Sequence, residues 1–384
     1  MSNHESTDLI DTLLRLETSS TTYQARHFRE KVVKGTQDSY EAIFSEQVKL
    51  NLAWRYLVAV YASQLSKATE LEQHYVTQAK AQGISDAYLS AVQQGQLEAI
   101  DNAQLKAILD FTAKLIVKPV EGDQEAILSL KEVGVSTPDI VALGQLIAFL
   151  SYQVRLFAGL KAIQVLEQGG IDSPSDSVTI QSQASTEAKP LIETAIKIKG
   201  FTNETLGWKA WLDVVDIERA TAAQIEVLEA SHPQAKTSDY YLLLVHEPEI
   251  LNHRSTTYNA IMYAPGGLNR ADRELGALTV SRINGCVYCA SVHAQRFEQL
   301  AKRNQIVADV FTDPASAGDN ARDKAIIELA TKLTVAPEAF DASSLQQLKN
   351  LGLDEKEILD LIHSVAIFGW ANRLMLNLGE PVFP

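Results

Sequence analysis

Apolar residues recur at three- and four-residue steps over 50–65, 103–115, 140–164, 271–301, 323–333 and 355–378. That spacing lines one face of a helix. Alternating segments are scarce. The best candidate strand is 240–245 (YYLLLV), which reads equally as a turn of buried helix. The pattern predicts an all-α chain. From Gly169 to Lys189 it lapses into GGIDSPSDSVTIQSQASTEAK, rich in Ser, Thr, Gln, Asp and Gly, the composition of a linker. This predicts an N-terminal domain over 1–168, a linker over 169–190 and a C-terminal domain over 191–384.

The two halves repeat. A constant shift of 218 residues aligns LKAILDFTAKLIVKP (105–119) with DKAIIELATKLTVAP (323–337), LKEVG (130–134) with LKNLG (348–352), and Arg155-Leu156 with Arg373-Leu374. One register held over so much chain predicts a duplicated helical domain. Arg55, Leu57, Ala59 and Ser63 also match Arg273, Leu275, Ala277 and Ser281. Yet Glu274 falls on Tyr56, Cys286 on Ala68, Cys289 on Leu71 and His293 on Tyr75. The N-terminal copy is therefore expected to keep the scaffold and lack the chemistry.

Composition narrows the partners. The 384 residues are 46% hydrophobic and 21% charged, a globular balance, and 34 Lys+Arg against 48 Asp+Glu leave a formal charge of −14. Such a surface repels phosphate backbones and anionic lipids, which argues against nucleic acid and membrane. No apolar run reads as the roughly 20 residues of a bilayer span; the stretch 140–150 is interrupted by Gly144 and Gln145. The opening MSNHESTDLI has neither a basic nor an apolar leader region, so a cytoplasmic protein is expected.

The only two cysteines form Cys286-Val-Tyr-Cys289, a spacing that chance would produce about once in two hundred sequences with two cysteines. In a reducing cytosol a lone pair three apart points to redox chemistry or metal binding. Asn269 is placed to cap a helix with Asp272 three residues on, and Asn284-Gly285 signals a break before a second helix at Cys286. On that second helix Cys286, Cys289 and His293 share an arc of roughly 60°. Glu274 lies twelve residues before Cys286, about 18 Å along an unbroken helix. It reaches His293 only if the chain reverses at Asn284-Gly285.

Thiol peroxidase chemistry uses each of these residue types. The attacking species is a thiolate, favoured by a position at the start of a helix. A histidine one turn on accepts the thiol proton, and a glutamate orients the imidazole. Oxidation gives a sulfenic acid that a second thiol condenses to a disulfide, and a dithiol resets the pair. A structural zinc site is the main rival, but two thiols, His293 and Glu274 make an awkward tetrahedron without a second cysteine pair. Taken singly, His293 reads as a solvated helix histidine and Glu274 as a first-turn helix acid. Tyr288 reads as packing, with a hydrogen bond near the thiols as the weaker alternative. His363 reads as a core or interface residue, Trp208, Trp211 and Trp370 as core, and His232, His246 and His253 as loop residues.

The pattern Glu-x11-Cys-x-x-Cys-x3-His, preceded by Ser-Arg-Ile-Asn-Gly, resembles the AhpD alkylhydroperoxidase branch of the carboxymuconolactone decarboxylase superfamily. More loosely, 201–384 resembles the peroxidase-related subgroup, with Phe201-Thr202 and Glu204-Thr-Leu-Gly-Trp208 adding to the likeness. The resemblance implies tandem all-α AhpD-like domains, commonly oligomeric, and reduction of a hydroperoxide with no cofactor or metal. It assigns Cys289 as the peroxidatic thiol, Cys286 as its disulfide partner and proton donor, and His293 with Glu274 as the proton relay. The reductant would be a dithiol, carried on a lipoyl-bearing or thioredoxin-like protein. One position departs from the pattern: the branch has a histidine just before the second cysteine, where this chain has Tyr288. Two other readings stand beside this one: a non-catalytic helical assembly protein that senses redox state, and a decarboxylase-like lyase, a chemistry that does not rely on a cysteine pair.

Overall fold

The computed structural model describes residues 8–169 and 191–384. Apart from Gly169, the expected linker lies outside the described residues. Among those residues, nine helices precede the linker: α1 (Leu9–Leu14), α2 (Thr21–His27), α3 (Glu30–Ile43), α4 (Leu52–Leu65), α5 (Thr69–Ala81), α6 (Asp86–Gln94), α7 (Ala103–Val117), α8 (Gln124–Glu132) and α9 (Thr137–Glu167). Nine follow it: α10 (Ala222–Ser231), α11 (Asp239–Leu244), α12 (Pro248–Met262), α13 (Arg270–Ile283), α14 (Val287–Ala301), α15 (Gln305–Thr312), α16 (Ala321–Val335), α17 (Gln346–Asn350) and α18 (Glu355–Asn377). The fold is all-α.

The 218-residue register holds in three dimensions. Adding 218 to the first residues of α2, α3, α4, α5, α7 and α9 gives the first residues of α11, α12, α13, α14, α16 and α18. Capping chemistry repeats with it. Asn51 and Asn269 each accept the backbone N–H three residues on, as do Asn102 and Asn320, so equivalent helices start at equivalent side chains.

Of the two readings open for 240–245, the structure takes the helical one: the segment belongs almost entirely to α11, with Tyr240, Leu243 and Leu244 buried at three- and four-residue spacing. The strands lie elsewhere. β1 (Lys197–Ile198) pairs with β2 (Phe201–Thr202), and β3 (Gly207–Ala210) pairs antiparallel with β4 (Gly379–Val382). Helix α9 runs straight through Gly144 and Gln145 and is long and apolar enough to cross a bilayer, yet its apolar window lies wholly inside the protein. It packs along α18, and a Cβ on Gly159 would overlap Ile362 of that helix.

The two copies share one connected apolar cluster. Charged groups stitch across it. Arg155 donates to Thr334 O at 2.7 Å, and its equivalent Arg373 donates to Leu115 O at 2.8 Å and Ile116 O at 3.2 Å. Each buried guanidinium thus caps the last turn of the other copy's helix, α16 or α7, where carbonyls lack helical partners. Arg29 forms a bidentate pair with Asp360 at 2.9 and 2.7 Å.

Candidate active site

The site is built on α13, the turn after it and α14. Asn269 accepts the Asp272 N–H at 3.0 Å, which starts α13 so that Glu274 falls in its second turn and is 1% exposed. The helix stops at Ile283. Gly285 follows at φ +79°, and a Cβ there would stand 2.5 Å from Val120 of the N-terminal copy, so both backbone and packing favour glycine. The chain turns back and α14 begins with Cys286 as its N-cap, the Cys286 N–H donating to Ser281 O at 2.8 Å.

This reversal brings the expected residues together. His293 Nδ1 lies 2.5 Å from Glu274 Oε2, both side chains buried. Glu274 Oε1 accepts from Arg270 Nε at 3.1 Å. Burial alone would push the Glu274 carboxyl up, but the charge and hydrogen bonds of His293 and Arg270 outweigh it and hold the group below the usual carboxylate range. The His293 ring meets Phe368 of α18 edge-on at 4.3 Å between centroids, which fixes its plane from the other side.

The two cysteines are unbonded and differ in setting. Cys289 and His293 both line a cavity of about 440 Å³. Cys286 is 1% exposed and borders a different, smaller space beside Trp211, Val120 and Met375. Burial, then hydrogen bonding and charge from Cys289, push the Cys286 thiol well up, against a smaller opposing pull from Asn372. That suits a thiol that keeps its proton until it is called on. Asn372 of α18 is itself held by Asn284 at 3.0 Å and by Ser281 Oγ at 3.1 Å.

Sequence reasoning missed several site residues. Asn372 and Phe368 lie some eighty residues downstream on α18, with no local spacing to mark them. Arg270 was detectable as a basic residue four before Glu274. The cavity is walled by Trp208, Tyr240, Tyr241, Tyr258 and Tyr288, among others. Trp208 rides on β3 and donates from Nε1 to Met375 O at 2.9 Å, so it is a cavity wall and not only core. Tyr288, which the sequence left as packing, also faces this space. His363 is not at the site; it is buried among core residues of α18.

Residues 248–332, which span α12 to α16 and hold all four site residues, match the carboxymuconolactone decarboxylase family. Among curated proteins it is 24% identical over 113 residues to the uncharacterized protein YdfG of Bacillus subtilis (strain 168), a match covering 29% of this chain and 77% of that one. Among solved structures, the AhpD-core, uncharacterized peroxidase-related protein of Ralstonia eutropha JMP134 is 23% identical, with a TM-score of 0.37 over 42% of this chain and 86% of its own. An uncharacterized peroxidase-related protein of Silicibacter sp. TM1040 is 24% identical, with a TM-score of 0.37 over 43% and 86%.

Proposed function

We propose that the protein is a thiol-dependent hydroperoxide reductase working through Cys289 and Cys286. The observation that carries this reading is that Cys289 and His293 line one cavity while Glu274 holds the far nitrogen of the same imidazole. With Nδ1 engaged by Glu274, Nε2 is the nitrogen left to take the Cys289 proton. The thiolate attacks the terminal oxygen of ROOH and the O–O bond breaks. The product alkoxide leaves as ROH with a proton from the His293 side, and Cys289 becomes a sulfenic acid. The Cys286 thiol then attacks the Cys289 sulfur, forming the disulfide and releasing water. A dithiol reductant exchanges with that disulfide, restoring two thiols and leaving as its own disulfide.

Burial of Cys286 fits this order, since a thiol outside the cavity and kept protonated is poorly placed to meet the peroxide but well placed to resolve its product. The test is turnover of a hydroperoxide with dihydrolipoamide as the electron donor. Cys289→Ser is expected to abolish it, and Cys286→Ser to allow one burst of peroxide reduction that stalls at the sulfenic acid. Steady turnover by the Cys289→Ser protein would overturn the assignment.

A further inference from the structure

The cavity beside Cys289 contains a cation without an anion. Arg254, on α12, lines it and is 5% exposed. Among the described residues its guanidinium makes no hydrogen bond and no ion pair, and its Nε is sealed from solvent without a partner. Aromatic rings flank it, Tyr258 at 4.9 Å and Tyr240 at 5.5 Å to the ring centroids, and Tyr241 and Cys289 lie close enough to act on its charge when ionised. The buried hydroxyl of Tyr240, which lines the same space, also has no partner. The carboxylate among the lining residues named for this cavity, Asp239, accepts from Ala210 N at 3.2 Å and forms no ion pair with Arg254.

An arginine stays charged in a protein, so this guanidinium is a buried ion. Leaving a buried ion without a counter-charge is unfavourable, and cation–π contacts return only part of what desolvation takes. Other buried arginines show what the fold does with cations that are purely structural. Arg55, Arg155, Arg273 and Arg373 each donate to backbone carbonyls, and Arg26 and Arg29 pair with Asp8 and Asp360. Arg254, unlike these, opens on the cavity. Its counterpart in the N-terminal copy is Thr36, a neutral residue bonded to Tyr152 at 2.7 Å. The cation is therefore tied to the half that has the thiols.

We infer that Arg254, with the Tyr240 hydroxyl, is an anion subsite of the Cys289 cavity, and that the substrate is an aromatic or aliphatic hydroperoxide bearing a carboxylate. A planar carboxylate matches the guanidinium fork, and the ring-lined remainder takes the apolar body of the molecule. The cavity volume of about 440 Å³ admits a molecule of roughly drug size. The assignment of the reaction rests on the peroxidase reading above; the binding subsite does not.

Two measurements separate them. Calorimetric titration of the full chain with 4-phenylbutyrate and with its neutral amide needs no turnover. The wild-type protein is expected to bind the acid at least tenfold more tightly. Arg254→Met is expected to erase the preference, Arg254→Lys to restore part of it, and Cys289→Ser to retain it. Equal binding of acid and amide by the wild-type protein would overturn the subsite, even if Arg254→Met failed to fold. In turnover, Arg254→Met is expected to lower the ratio of kcat/KM for a carboxylate-bearing hydroperoxide over that for its methyl ester by tenfold or more, mainly through KM. An equal loss for acid and ester would mean that Arg254 serves only the thiolate, and would also overturn the subsite. Acid-selective binding without any peroxide turnover would keep the subsite and sink the peroxidase reading instead.

Discussion

The same three-dimensional position is the candidate site, opening on a cavity, in one half of this molecule and a packed core in the other. Where the C-terminal copy has Glu274, Cys286, Cys289 and His293, the N-terminal copy has Tyr56, Ala68, Leu71 and Tyr75. Phe44 stacks on Tyr56 at 4.4 Å, and the Tyr75 hydroxyl, fully buried, donates to Gln153 at 2.5 Å. Tyr40 meets His74 at 3.0 Å. Aromatic rings thus fill what is an ion pair and a thiol opposite. The scaffold is indifferent to the exchange. Arg55 donates to the carbonyls of Leu50 and Ile43, and Arg273 to those of Leu268 and Ile261, each 218 residues on. Helix starts, caps and these buried arginines define the fold; the residues inside the helical hairpin are free to differ.

The turn before the cysteines makes the same point. Gly285 at φ +79° corresponds to Lys67 at φ +53°, so both hairpins use a left-handed residue. Each turn meets the equivalent residue of the other copy: Val120 stands where a Cβ on Gly285 would be, and Glu338, 218 residues on from Val120, pairs with the Lys67 ammonium at 3.0 Å. Glycine serves where a Cβ would strike Val120, and lysine serves where the side chain reaches a carboxylate.

The largest expected effect breaks the comparison at the seam between the copies. Asp360 pairs with Arg29 and also accepts the Leu268 N–H at 2.9 Å, and Gly267, at φ +65°, leaves room for its carboxylate. The equivalent residues are Ala142, Glu247 and Lys49, so no second copy of this pair exists to share the load. Asp360→Leu leaves the buried Arg29 guanidinium with the carbonyls of Pro265 and Gly266 but no counter-charge, and is expected to cost about 3 kcal/mol in urea denaturation. The double variant Arg29→Met/Asp360→Leu is expected to recover at least half of that. A single-variant loss below about 1 kcal/mol would mean that the pair does not bind the halves together.

A second prediction sharpens the contrast between hairpins. Glu274→Gln keeps the shape but not the charge behind His293, and hydroperoxide consumption is expected to fall about a hundredfold. The equivalent change in the other hairpin, Tyr56→Phe, is expected to leave turnover within twofold. Parallel losses in both variants would show that packing and not the relay sets the rate.

The smallest effect concerns a pair of equivalent polar residues on the two central helices. Gln145 on α9 accepts from Trp370 Nε1 at 2.9 Å, whereas both ring nitrogens of its counterpart His363 on α18 are buried without a partner. Burial first, and then the nearby charges of Arg26 and Arg29, lower the His363 pKa from 6.5 to about 3. Between those values the unfolded chain takes up a proton that the native one refuses, so stability falls as pH drops below 6.5. At pH 5 this component is about 2 kcal/mol. Comparing chemical denaturation at pH 7.5 and 5, His363→Leu is expected to lose stability less steeply than the wild-type protein; identical slopes would refute the buried neutral state.

Much of the hairpin was legible beforehand. The capping Asn269, the break at Asn284-Gly285 and the spacing of Cys286, Cys289 and His293 are local, and local chemistry repeats wherever the residues recur. Strand β3, with Trp208, was not legible, because it forms only by pairing with β4 at the far end of the chain. The helical turn at 240–245 was hidden by a run apolar in every position. Helix α9 looked interrupted because glycine and glutamine weaken an apolar pattern, although neither stops a helix that is packed on all sides.

Periodicity, caps and the internal repeat by themselves determined an all-α chain, two copies in register, and a thiol pair poised on a helix beside a histidine. These depend on interactions within a few turns of chain, which the order of residues states directly. Only the tertiary structure decided that Glu274 meets His293, that Cys289 opens on a cavity while Cys286 does not, and that Arg254 stands there unpaired. Those facts depend on which distant helices exclude water from a shared space, and burial sets how strongly each charge and hydrogen bond there is felt.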